Sequence, residues 1–106
     1  MNEPISLPNR YLTAVRSIFD RHRTSLDGIK VYLVGSRASG NAKEFSDIDL
    51  LLETSTTLSF LQMGLLRSDF EESDLPISVD LLDANSLTPE FHELVKTRAI
   101  QIWPEA

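Results

Sequence analysis

The 106-residue sequence predicts an α/β (α+β) fold, a small mixed β-sheet with helices packed on one side. Two observations carry this expectation. Segments with helical apolar spacing alternate with short β-branched runs, and Gly, Pro or N-cap residues punctuate the changes between them. The length suits one domain over residues 1–106, and 42% hydrophobic with 25% charged residues is a globular composition.

Residues 1 to 6 read as a loose terminus. Pro8 suits a first helical turn, and Tyr11, Leu12, Ala14, Val15, Ile18 and Phe19 recur at helical spacing, which predicts a helix over about 8–23. Asp27-Gly28 stops it. Ile29 to Val34 is β-branched and aromatic and ends at Gly35, as a buried strand does. A turn and a short helix follow over residues 36–44, and a second strand runs from Asp47 to about Glu53. Ser55, Thr56 and Thr57 are N-cap candidates for a helix to about Phe70, with Leu58, Leu61 and Leu65 as its apolar stripe. Glu71 to Pro76 is an acidic loop with a solvated face, and Ile77 to Leu82 is a third strand. Thr88-Pro89-Glu90 supplies a cap, a first-turn proline and a first-turn acid for a helix to about Arg98. Ala99 to Trp103 reads as a last strand, with Trp103 in packing.

Charge and cysteine content narrow the chemistry. Sixteen acids against ten Lys and Arg give a formal net charge of −6, which disfavours direct nucleic-acid binding. Without cysteine there is no disulfide, thiolate zinc site or Cys nucleophile. The N-terminus lacks signal-peptide character, and the apolar runs fall far short of the ~20 residues of a membrane span, so a cytoplasmic protein without membrane contact is expected. His22 and His92 fall in helical segments with no ligand partner in sequence, as surface or satisfied side chains do.

The informative stretch runs from Gly35 to Leu50. Side chains alternate along a strand, so Asp47 and Asp49 share a face, about 7 Å apart, while Ile48, Leu50 and Leu52 take the other. In the third strand Ile77, Val79 and Leu81 share one parity, which puts Asp80 opposite them and leaves Asp83 the weaker candidate. With the two strands adjacent, Asp47, Asp49 and Asp80 converge, and three carboxylates in that arrangement describe a two-metal site for phosphoryl or nucleotidyl transfer. At the other end of the stretch, Gly35 lets backbone approach a phosphate, Ser36 adds a hydroxyl, and Arg37 is the candidate for charge stabilisation, with Lys43 less favoured. Gly40 is followed by Asn41-Ala42, so a P-loop is excluded.

Gly35-Ser36, ten residues, then Asp47-Ile48-Asp49 resembles the signature of the DNA polymerase β-like nucleotidyltransferases. With Arg37, Gly40 and Ser46 around it, it is similar to the minimal nucleotidyltransferases, small antitoxins paired with HEPN-domain toxins. The resemblance implies the polymerase β-like nucleotidyltransferase fold, ATP as substrate, and Gly35 and Ser36 at the triphosphate. It also implies two Mg²⁺ ions on Asp47, Asp49 and Asp80, and AMP transfer to a hydroxyl of the partner toxin in a hetero-oligomer. A non-catalytic binding antitoxin, or an enzyme acting on a small molecule or an RNA end, are the alternatives. The chain has no length for an acceptor-binding domain, so the acceptor is expected to arrive as a separate protein.

Overall fold

The computed structural model describes residues 7–26, 28–55 and 57–105. The terminus over residues 1–6, Asp27 and the cap candidate Thr56 lie outside them. The elements run α1 (Asn9–Arg21), β1 (Lys30–Val34), α2 (Ser36–Ser39), β2 (Ile48–Glu53), α3 (Phe60–Glu71), β3 (Val79–Asp83), a 3₁₀ turn (Ala84–Ser86), α4 (Pro89–Lys96) and β4 (Ile100–Trp103). The strands form one sheet in the order β3-β2-β1-β4. β1 is antiparallel to both β2 and β4, whereas β2 and β3 are parallel, joined by the crossover through α3.

The core lies on one face of this sheet. Val31, Leu33, Ile48, Leu50, Leu52, Leu81 and Ile102 are buried there under Val15, Ile18 and Phe19 of α1 and Met63, Leu66 and Phe70 of α3. The ring of Phe19 joins the two helices to the last strand, edge-on to Phe70 at 5.7 Å and 5.6 Å from Trp103. The Trp103 indole donates to Asp20 at 2.9 Å, so its polar edge is satisfied. On the opposite face a smaller cluster of Val34, Leu51 and Ala84 is partly covered by Leu82 and by Val95 of α4. None of the helices among the described residues is long and apolar enough to cross a membrane.

Local signals set most boundaries within two or three residues. Pro8 is the N-cap of α1, one place earlier than a first-turn position, and its carbonyl accepts from the amides of Tyr11 and Leu12. Thr88 caps α4 through the Phe91 amide, with Pro89 at its first position, though the helix ends at Lys96 rather than near Arg98. β3 begins at Val79, two residues later than expected, while Ile77 still packs against the core. α3 departs most. Its cap is Ser59: the Ser59 hydroxyl accepts from the Gln62 amide, and the Gln62 side chain accepts from the Ser59 amide. That reciprocal pair satisfies two otherwise orphaned donors, which Ser55 or Thr57 could not do from farther upstream. Starting there, α3 buries Met63, Leu66 and Phe70 instead of the expected stripe. Leu61 and Leu65 are 69% and 50% exposed, and Phe60 is 93% exposed.

α4 is tied to the sheet mainly by polar contacts. Glu53, at the end of β2, accepts from Lys96 at 2.7 Å and lies 3.2 Å from the His92 ring. The Lys96 ammonium also stands 4.6 Å above the Tyr32 ring. The hydrogen bond from Lys96, with that from His92, holds the Glu53 carboxyl below its ordinary range against the opposing effect of burial. A depressed carboxyl contributes stability above its unfolded pKa and loses it as pH falls through the folded value. Both groups are partly solvated, which limits the contribution to about 1 kcal/mol. Glu53→Gln should therefore lower stability by up to about that amount at pH 7. The gap from the unmodified chain should close once pH drops below the carboxylate range, as thermal denaturation across a pH series will read.

Candidate active site

Strand pairing assembles the site. Val34 on β1 pairs with Asp49 on β2, and Asp49 pairs with Asp80 on β3. Parallel neighbours in register stand about 4.8 Å apart, so the Asp49 and Asp80 side chains leave the same face side by side. Asp47 lies immediately before β2, and its charge acts on Asp49 as that of Asp80 does. Asp47 and Asp80 are exposed, whereas Asp49 is half-buried. Asp83, of the other parity, is buried and committed: it accepts from the amides of Leu58 at 3.2 Å and Asn85 at 2.9 Å.

Gly35 forms the adjoining wall. Its φ of 73° lies where a side chain is strained, and a Cβ there would stand 2.5 Å from an Asp49 carboxylate oxygen. Both constraints demand glycine, and together they leave bare backbone beside the carboxylates. Ser36 opens α2, half-buried, with its carbonyl accepting from the Asn41 amide at 2.9 Å. Above these residues lies an open cleft of about 540 Å³, lined by Val34, Gly35, Ser39, Asp49, Leu82, Leu94, Val95, Thr97 and Arg98.

Arg37 has a different part from the phosphate contact expected of it. It is only 3% exposed, and its guanidinium donates to the backbone carbonyls of Ser46, at 2.9 and 3.0 Å, and Glu44, at 3.1 Å. Carbonyl oxygens there offset the cost of burying the cation, and the chain entering β2 is clamped as a result. The Ser46 hydroxyl accepts from the Lys43 amide at 2.9 Å and closes the same turn. Arg37 therefore supports Asp47 through the backbone. His22 and His92 are paired with Asp69 and Glu53, not with the three aspartates. Sequence patterns did not point to Leu94, Val95, Thr97 or Arg98, because only the docking of α4 brings them to the cleft.

Chemically, Asp49 brings carboxylate oxygens to the cleft, with Asp80 and Asp47 near enough for their charges to act on it. Burial first, then the charges of Asp80 and Asp47, push the Asp49 carboxyl above its ordinary range. Among the described residues no three His, Asp or Glu side chains are gathered tightly enough to enclose an ion. The three aspartates border open space instead. Such a set suits a hard cation that completes its shell with ligand oxygens, and Mg²⁺ is of that kind. A raised carboxyl contributes stability that is full below its unfolded pKa and lost as pH rises through the folded value. Without metal, Asp49→Asn should therefore melt a few degrees above the unmodified chain at pH 7. The gain should vanish at pH values where the native carboxyl is already protonated. A lower melting temperature at pH 7 would contradict the crowding of charge.

Residues 15–105 match the family described as Polymerase beta, Nucleotidyltransferase. A Haemophilus influenzae protein named "Probable protein adenylyltransferase MntA" is 42% identical over 66 residues, covering 62% of this chain. The match spans 58% of that relative's own length. A solved chain named as a minimal nucleotidyltransferase is 32% identical with a TM-score of 0.66, over 87% of this chain and 89% of that one. A crystal structure of a toxin–antitoxin pair with AMP-PNP holds a chain 27% identical, with a TM-score of 0.66, over 86% of this chain and 73% of that one. With a family match along most of its length, the chain belongs to the polymerase β nucleotidyltransferase family.

Proposed function

We propose that the chain is the antitoxin of a toxin–antitoxin pair, and that it transfers AMP from ATP to a hydroxyl side chain of its HEPN-domain toxin. The observation that carries this reading is the line Val34, Asp49, Asp80 across three strands, with bare Gly35 backbone beside the carboxylates. Support for the substrate and partner comes from the resemblance to a toxin–antitoxin complex with AMP-PNP and to a protein named for protein adenylyltransferase activity.

Asp47, Asp49 and Asp80 would hold two Mg²⁺ ions. When bound, the ions supply charge neutralisation at the triphosphate and a lowered pKa at the acceptor hydroxyl. Gly35 admits the phosphate chain close to the backbone, and Ser36 offers it a hydrogen bond. The acceptor oxygen bonds to the α-phosphorus as the bond to pyrophosphate breaks. Asp80, the more exposed of the two paired carboxylates, would take the hydroxyl proton. Each turnover yields an adenylylated side chain and pyrophosphate. Because the net charge of −6 disfavours nucleic acid, a protein with a basic face is the fitting acceptor.

Removing one ligand charge should damage transfer without unfolding the chain. Asp47→Asn, Asp49→Asn and Asp80→Asn should each lower AMP transfer about a hundredfold or more. Asp83→Asn should leave it within a few-fold, since that carboxylate serves the backbone. Single-turnover assays with labelled ATP will rank them, and a larger loss of transfer in Asp83→Asn than in Asp80→Asn would refute the assignment.

The acceptor is tested by mass. Co-expression with the gene product encoded beside this chain should yield a complex. With ATP and Mg²⁺, intact-mass spectrometry should show AMP added to that partner. Labelling of RNA or a small molecule, with the partner's mass unchanged, would overturn the antitoxin reading and leave the nucleotidyltransferase site standing. A complex that forms without any label on an acceptor would favour stoichiometric binding.

A further inference from the structure

We infer that Arg98 binds the phosphate chain of the nucleoside triphosphate, the part that the sequence pattern suggests for Arg37. This inference rests on the nucleotidyltransferase reading of the cleft. Arg98 follows α4 and lines the cleft together with Gly35 and Asp49. It is exposed, and among the described residues it has neither a hydrogen bond nor an ion pair. Two other cations are already committed. Arg37 is buried against carbonyls, and Lys96 is held by Glu53.

Arg98 and Asp49 border one cleft without bonding each other. A ligand between them must satisfy an anion on one side and a cation on the other. A metal-bound polyphosphate does both, with the metal toward the carboxylates and its outer oxygens toward the guanidinium. The planar fork of arginine matches phosphate oxygens in pairs, which an ammonium cannot do. Val34, Leu82, Leu94 and Val95 give the wall an apolar stretch that suits the flat faces of a nucleobase. The contacts of Glu53 with His92 and Lys96 hold α4, and so set where Arg98 stands.

The test compares the full chain with Arg98→Ala and Arg98→Lys. Binding of AMP-PNP with Mg²⁺ is measured by calorimetry, and adenosine, which has no phosphate, by NMR titration at millimolar concentration. Arg98→Ala should weaken AMP-PNP about tenfold or more, the loss of a charge-assisted contact, with Arg98→Lys between the two. Adenosine shifts and the melting temperature without ligand should be the same in all three. Unchanged AMP-PNP affinity in Arg98→Ala would overturn the inference, as would equal losses for AMP-PNP and adenosine, because the residue would then act on the base or on the shape of the cleft. If the unmodified chain itself prefers AMP-PNP no more than adenosine, the nucleotidyltransferase reading fails first, and the phosphate contact fails with it.

Discussion

Burial of one face of β2 is the constraint on which the rest of the structure depends. Ile48, Leu50 and Leu52 are fully buried beneath α1 and α3. A slip of one residue would drive Asp49 into that core and turn the leucines to the cleft, at the cost of an unpaired buried charge. The apolar side therefore holds the carboxylates on the other side. Pairing then extends the arrangement sideways, since antiparallel β1 delivers Val34 and Gly35, and parallel β3 delivers Asp80 at the level of Asp49.

The two faces of the sheet divide the tasks. One carries the aromatic and aliphatic core and supplies stability, which a chain of this length has in modest amount. The other gathers like charges that repel, as the raised Asp49 carboxyl records. That face has only a small apolar cluster and a helix held by Glu53, Lys96 and His92. The cost of clustering carboxylates is borne where coverage is thin, and the same thin coverage keeps the cleft open to a ligand and an acceptor.

Arginine placement follows the same division. Arg37, adjacent in sequence to the expected phosphate site, is turned inward and becomes a clamp on the turn from Lys43 to Ser46. Its buried guanidinium orders the approach to β2 and so fixes where Asp47 leaves the backbone. Positive charge reaches the cleft instead from the end of α4, a segment remote in sequence.

The sequence by itself determined whatever depends on local period and spacing. The parity of Asp49 and Asp80 is a property of strands, and the Thr88-Pro89 start of α4 is a property of backbone donors near in sequence. Gly35-Ser36 and the two aspartates were legible because one short connection carries them all. Only the tertiary structure decided which of two apolar stripes of α3 meets Phe19, and hence that Phe60, Leu61 and Leu65 face outward. It also decided that Ser59 rather than Ser55 caps that helix, that Arg37 points inward, and that Arg98 lines the cleft. Each of these is a choice between locally equivalent options. Contacts between residues far apart in the chain settle such choices, and no periodicity encodes those contacts.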